Sequence, residues 1–68
     1  MTLPLFLRVQ RETRGLTQAE LATLASTSAP TISNYETGAR TPNFDTLLRL
    51  SKVLRFSMGD LDKVKASA

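Results

Sequence analysis

The chain has 68 residues, a formal net charge of +3, a pI of about 10.0 and neither cysteine nor histidine. That length holds one domain with a small core. The missing residue types remove disulfides, deprive a zinc site of its usual ligands and leave only carboxylates for acid–base chemistry. No metal, cofactor or small-molecule ligand is therefore expected, and an enzyme is an improbable reading. Asp60 and Asp62 are close in sequence but sit at an expected exposed helix start, and alone they lack the ligands for a metal. A basic balance fits a nucleic-acid partner, although many unrelated small proteins carry as much charge. The apolar segment 1–9 has no basic start and is interrupted by Arg8, so it does not read as a signal peptide. No apolar run reaches membrane-spanning length, and the expectation is a soluble cytoplasmic protein.

In chain order, residues 3–14 read as a first helix, with Pro4 tolerated in the first turn and Gly15 placed to close it. Leu3, Leu7 and Arg11 line up at helical spacing. Leu5, Phe6 and Val9 fall off that line. They read either as scattered surface residues or as a contact patch. Thr17 and Glu20 have capping-box spacing, flanked by Leu16 and Leu21 as a hydrophobic staple. Leu21 and Leu24, with Ala22 and Ala25, give the second helix an apolar side. Ser28 is a suitable cap for a third helix whose first turn contains Pro30, and the start could slip to Ala29 or Pro30. At about 100° per residue, Ser28, Tyr35 and Glu36 share the side of Ile32. Pro30, Asn34 and Thr37 lie opposite, with Ser33 near the edge. Such an outer face of small groups and one amide suits a groove better than a core.

Gly38 is placed to end this helix in the left-handed conformation. After the loop 39–42, Asn43 caps a fourth helix whose inner face is expected to be Phe44, Leu47, Ser51 and Leu54, flanked by Leu50. Arg49, Lys52 and Arg55 read as solvated. Ser57 and Asp60 open a fifth helix, with Phe56 and Leu61 as its staple. Residues 63–68 are expected to fray.

Gly15-Leu16-Thr17-Gln18-Ala19-Glu20-Leu21-Ala22, then Ile32-Ser33-Asn34-Tyr35-Glu36, then Gly38-Ala39-Arg40-Thr41-Pro42 resembles the helix-turn-helix domain of the Cro and phage-repressor (XRE-like) family. The resemblance covers about residues 3–62. It implies an all-α, compact, five-helix, lambda-repressor-like domain over 1–68, with its helix-turn-helix at 17–36. It further implies a sequence-specific transcriptional regulator, a repressor by preference, that binds an inverted-repeat operator in double-stranded DNA as a homodimer. By position, Ala29, Pro30, Thr31, Ser33 and Asn34 would face base edges. Asn34 has the amide geometry for adenine, and Ala29 and Pro30 could touch thymine methyl groups. Thr17, Gln18, Arg40 and Asn43 would contact phosphates. Phe56, Met58 and Leu61 occupy the region of the dimer interface.

The family's arginine matching Arg11 pairs with the glutamate that ends the recognition helix, here Glu36. The resemblance thus implies an Arg11–Glu36 pair, against the alternative of two solvated charges. Two positions depart from the family. Ser26 and Arg55 stand where glycine is usual. A serine at φ > 0 would cost roughly 1 kcal/mol or somewhat more, so the turn is either strained or differently shaped. The rival function is an antitoxin or other module whose main partner is a protein, docked at Leu5, Phe6 and Val9, with or without DNA binding.

Overall fold

The computed structural model describes residues 1–64. Four α-helices follow in order: α1 (Leu3–Thr13), α2 (Gln18–Leu24), α3 (Ala29–Thr37) and α4 (Phe44–Leu54). In place of the expected fifth α-helix there is a short 3-10 helix, Met58–Lys63. Ser57 and Asp60 form the expected capping box, but Gly59 and only six residues give no length over which an α-helical ladder could repay its nucleation. Lys63 is the last residue of that helix and Val64 packs on the core, while the rest of the segment expected to fray lies outside the described residues.

Each α-helix contributes a fully buried aliphatic side chain. Leu7, Leu21, Ile32, Leu50 and Leu54 meet at the centre. Phe6 and Phe56 close one flank edge-to-face, with ring centroids 5.0 Å apart and planes at 88°. Phe6 is buried, so it does not belong to an exposed patch, and Leu5 and Val9 remain at 47% and 37% exposure. Phe56 is likewise core rather than a free interface residue, and Leu61 packs against the same cluster. Phe44, expected on the inner face, is 66% exposed. At helical spacing it lies well off the side that Thr46, Leu50 and Leu54 bury. Thr46 and Leu50 take the inner positions instead. Leu24 is also exposed, at 58%. Leu21, Ala22 and the capping residue Ala25 share the buried side, and Leu24 lies about 100° from Ala25 at helical pitch.

Helix ends follow one pattern. After α1 the N–H groups of Gly15 and Leu16 turn back to Glu12 O and Arg11 O, with Gly15 at φ 69°. After α2 the same two bonds run from Ser26 to Thr23 O and from Thr27 to Ala22 O, with Ser26 at φ 59°. After α4, Phe56 N–H reaches Ser51 O with Arg55 at φ 60°. Ser26 and Arg55 are thus strained left-handed residues in otherwise ordinary helix terminators, each costing roughly 1–2 kcal/mol relative to a relaxed conformation.

Candidate nucleic-acid interface

The helix-turn-helix is set by its caps. Thr17 Oγ1 accepts from Glu20 N–H at 3.0 Å, and Glu20 returns the bond to Thr17 N–H at 2.8 Å. Ser28 caps α3 by accepting from Thr31 N–H, and its hydroxyl lies 2.8 Å from that of Thr31. Ile32 is 1% exposed and anchors α3 in the core. On the opposite side Pro30 is exposed and Asn34 half-buried; Ser33, near the edge, and Ala29, at the start of the helix, are half-buried as well. The Asn34 carboxamide has no hydrogen-bond partner among the described residues, whereas the Thr31 hydroxyl is shared with Ser28. Of the five residues expected at base edges, Asn34 and Ser33 carry polar groups without a partner among the described residues, and Asn34 alone offers an amide donor and acceptor together.

Arg11 and Glu36 meet in a bidentate pair, Nε to Oε2 at 2.7 Å and Nη2 to Oε1 at 3.1 Å. Their side chains are 12% and 4% exposed. Charge-assisted hydrogen bonding to Glu36 holds the Arg11 guanidinium above its already high usual pKa, against desolvation. Arg11 stays charged throughout the neutral range, and its contribution is lost only as pH rises through that raised value. The third guanidinium nitrogen donates to Leu16 O at 2.7 Å, fixing the backbone that leads into α2. Gln18 joins the same network, Nε2 donating to Glu36 Oε1 at 3.1 Å. One carboxylate thus ties α1, α2 and α3 together.

Arg40 is exposed, and its guanidinium has no partner among the described residues. Gly38, at φ 83°, ends α3, and Arg40 N–H bonds to Asn34 O at 3.2 Å. Arg40, Thr37 and Gly38 line an open groove of about 530 Å³ against Thr2, Pro4 and Arg8 of the N-terminal segment. Asn43 spends its Oδ1 on Thr46 N–H at 2.8 Å, leaving only its amide nitrogen for another contact. Met58 is half-buried outside the core cluster. Among the described residues no cluster of three potential metal ligands occurs, and no helix is long and apolar enough to cross a membrane.

Two features had no counterpart in the sequence reading. Arg14 donates to Leu54 O at 2.7 Å and to Arg55 O at 3.4 Å, capping the end of α4 from across the domain. The bond from Gln18 to Glu36 is the other. Neither has a local sequence signal, because the partners lie 40 and 18 residues away.

A helix-turn-helix family model matches residues 7–61. The uncharacterized HTH-type transcriptional regulator Rv0474 of Mycobacterium tuberculosis (strain H37Rv) is 40% identical over 52 residues, 76% of this chain. Its counterpart MT0491 in strain CDC 1551 matches to the same extent. The chain spans 37% of the length of these relatives. Among solved structures, the P22 c2 repressor in complex with a synthetic operator superposes with a TM-score of 0.85 at 31% identity, over 96% of both chains. With the matched segment running from inside α1 into the 3-10 helix, the chain belongs to the helix-turn-helix family of the phage-repressor, XRE-like type, a non-enzymatic class of transcription-regulator domains.

Proposed function

We propose that this chain is a sequence-reading transcriptional repressor that binds an inverted-repeat operator as a homodimer, with α3 in the major groove. The observation that carries the reading is the division of α3. Ile32 and Glu36 lock one side to the protein, while Pro30 and the free carboxamide of Asn34 occupy the other. Asn34 reads adenine, Ala29 and Pro30 meet thymine methyl groups, and Thr31 and Ser33 line the same face. Thr17, Gln18, Arg40 and Asn43 hold phosphates on either side. The structural neighbour, a repressor in complex with a synthetic operator, supports the DNA-binding reading.

With few basic groups near α3, one subunit binds weakly, and two subunits on half-sites about one helical turn apart add their contacts. With Phe56 and Leu61 engaged in the core, Met58 is the remaining interface candidate of the three.

The test is selection of random duplexes by the wild type and by Asn34→Ala, with sequencing of the bound fraction. The expected result is an inverted repeat for the wild type and a lost preference at one base pair per half-site for the variant. No enrichment even at low salt would leave the scaffold reading, in which a protein partner docks on Leu5 and Val9, exposed one helical turn apart.

A further inference from the structure

The Arg11–Glu36 pair has the form of a structural clamp, yet its carboxylate carries a third donor. Gln18 Nε2 lies 3.1 Å from Glu36 Oε1. A carboxylate only accepts, so the amide of Gln18 must meet it with its NH2 group and not with its carbonyl. The ambiguity of which way a surface glutamine points is thereby removed. One N–H is spent on Glu36, and the second N–H of the same nitrogen has no partner among the described residues. Some of the neighbouring donors are already committed, while the backbone N–H groups of Gln18 and Ala19 at the start of α2 have no partner among the described residues. Thr17 N–H and Glu20 N–H satisfy the capping box, and Arg11 uses Nε, Nη1 and Nη2 on Glu36 and Leu16. Glu20 also places a carboxylate at this helix start. The side-chain N–H of Gln18 adds a directed donor to the backbone N–H groups there, on the side away from the Glu20 carboxylate's own bonds.

We propose that Glu36 is a positioning residue for DNA binding: it orients the Gln18 amide so that its free N–H donates to a backbone phosphate. This inference rests on the DNA-binding reading above and assigns to the buried pair a role beyond holding α1 on α3. Because Glu36 sits at the end of the recognition helix, the phosphate grip of α2 and the placement of α3 are set by one group.

The test detaches Gln18 without leaving a buried charge. Replacing Arg11 and Glu36 together by apolar residues (Arg11→Met with Glu36→Leu) is the exchange that buried ion pairs tolerate best. Binding is measured to a duplex selected by the wild type and to an unrelated duplex, over a range of salt. In the wild-type background, Gln18→Ala should lower affinity about five- to tenfold on both duplexes. The salt slope should not change, because the amide carries no charge. On the unrelated duplex, where the seating of α3 does not enter, affinity of the double variant should already be reduced by a similar factor, and adding Gln18→Ala should cost less than about twofold. Equal losses in both backgrounds, or no loss in either, overturn the proposal.

Should the double variant fail to fold, the side-chain amide protons of Gln18 in the wild type decide by nuclear magnetic resonance. On addition of duplex the proton directed away from Glu36 should shift and its geminal partner should stay. Both moving together, or neither moving, overturns the proposal. A wild type that binds no duplex at low salt sinks the DNA-binding reading itself, and this proposal with it.

Discussion

Toward α3, α1 is joined to the domain by a charge clamp; toward the C-terminal segment it is joined by an aromatic pair. Arg11 reaches Glu36, Leu16 and, through Glu36, Gln18. One turn earlier, Phe6 meets Phe56 at 5.0 Å. Hydrogen bonds to a planar guanidinium fix distances and angles, so the clamp specifies how α3 sits. Apolar burial is non-directional and scales with area, so the aromatic pair supplies stability with little control over orientation. A domain of this size has room for only one such core. The expensive, directional contacts are concentrated where geometry matters for the outer face of α3.

The largest effects are expected at the centres of the clamp and of the aromatic pair. Arg11→Ala leaves Glu36 buried without its cation and should destabilise by about 3–5 kcal/mol in urea or thermal unfolding. Phe56→Ala should cost a similar amount, about 3–5 kcal/mol, through lost area and a cavity. The two differ in what survives. If both are studied under conditions that keep them folded, Phe56→Ala should retain the wild-type sequence preference on DNA and Arg11→Ala should lose it. Equal retention by both would remove the distinction drawn here. As a control for exposure, Phe44→Ala and Arg8→Ala should each change stability by less than about 0.5 kcal/mol.

Smaller effects sharpen it. Ser26→Gly and Arg55→Gly should each stabilise by roughly 0.5–1 kcal/mol, the left-handed strain less the entropy glycine adds to the unfolded chain. They lie in different terminators, and their effects should add. A destabilisation by either would show that the side chain makes a compensating contact. Arg40→Ala should weaken DNA binding evenly across sequences and reduce the salt slope by about 1, a change that Gln18→Ala should not produce.

Local chemistry was the legible part of this chain. The boxes at Thr17–Glu20 and Ser57–Asp60, the caps Ser28 and Asn43 and the terminators Gly15 and Gly38 all involve residues within a few positions of each other. The structure places each of them as spacing predicts. The departures from glycine at 26 and 55 also fell where the backbone turns left-handed, so the turn is strained and not reshaped. What local pattern missed was burial decided by distant partners. Phe6 looked peripheral because Phe56, 50 positions later, is invisible from helix periodicity. Phe44 looked internal because apolar spacing cannot tell which side of the first turn of α4 meets the core, and the polar Thr46 takes that side. The fifth helix failed for a different reason: a good cap specifies a start but no length. At the site, residue types and positions on α3 could be read in advance. That Asn34 is free while Thr31 is tied to Ser28 required coordinates.

The bond from Arg14 to the end of α4 also bears on the rate at which the fold is lost. It joins residues 40 and 41 positions apart, so the chain must close a loop of more than half its length before the contact can exist. Contacts of that separation form late, after helices and their near neighbours have assembled. Its removal should therefore leave the folding limb of a chevron almost unmoved and steepen nothing; it should raise the unfolding rate. Arg14 acts as a latch whose value lies in how long the native state lasts once made.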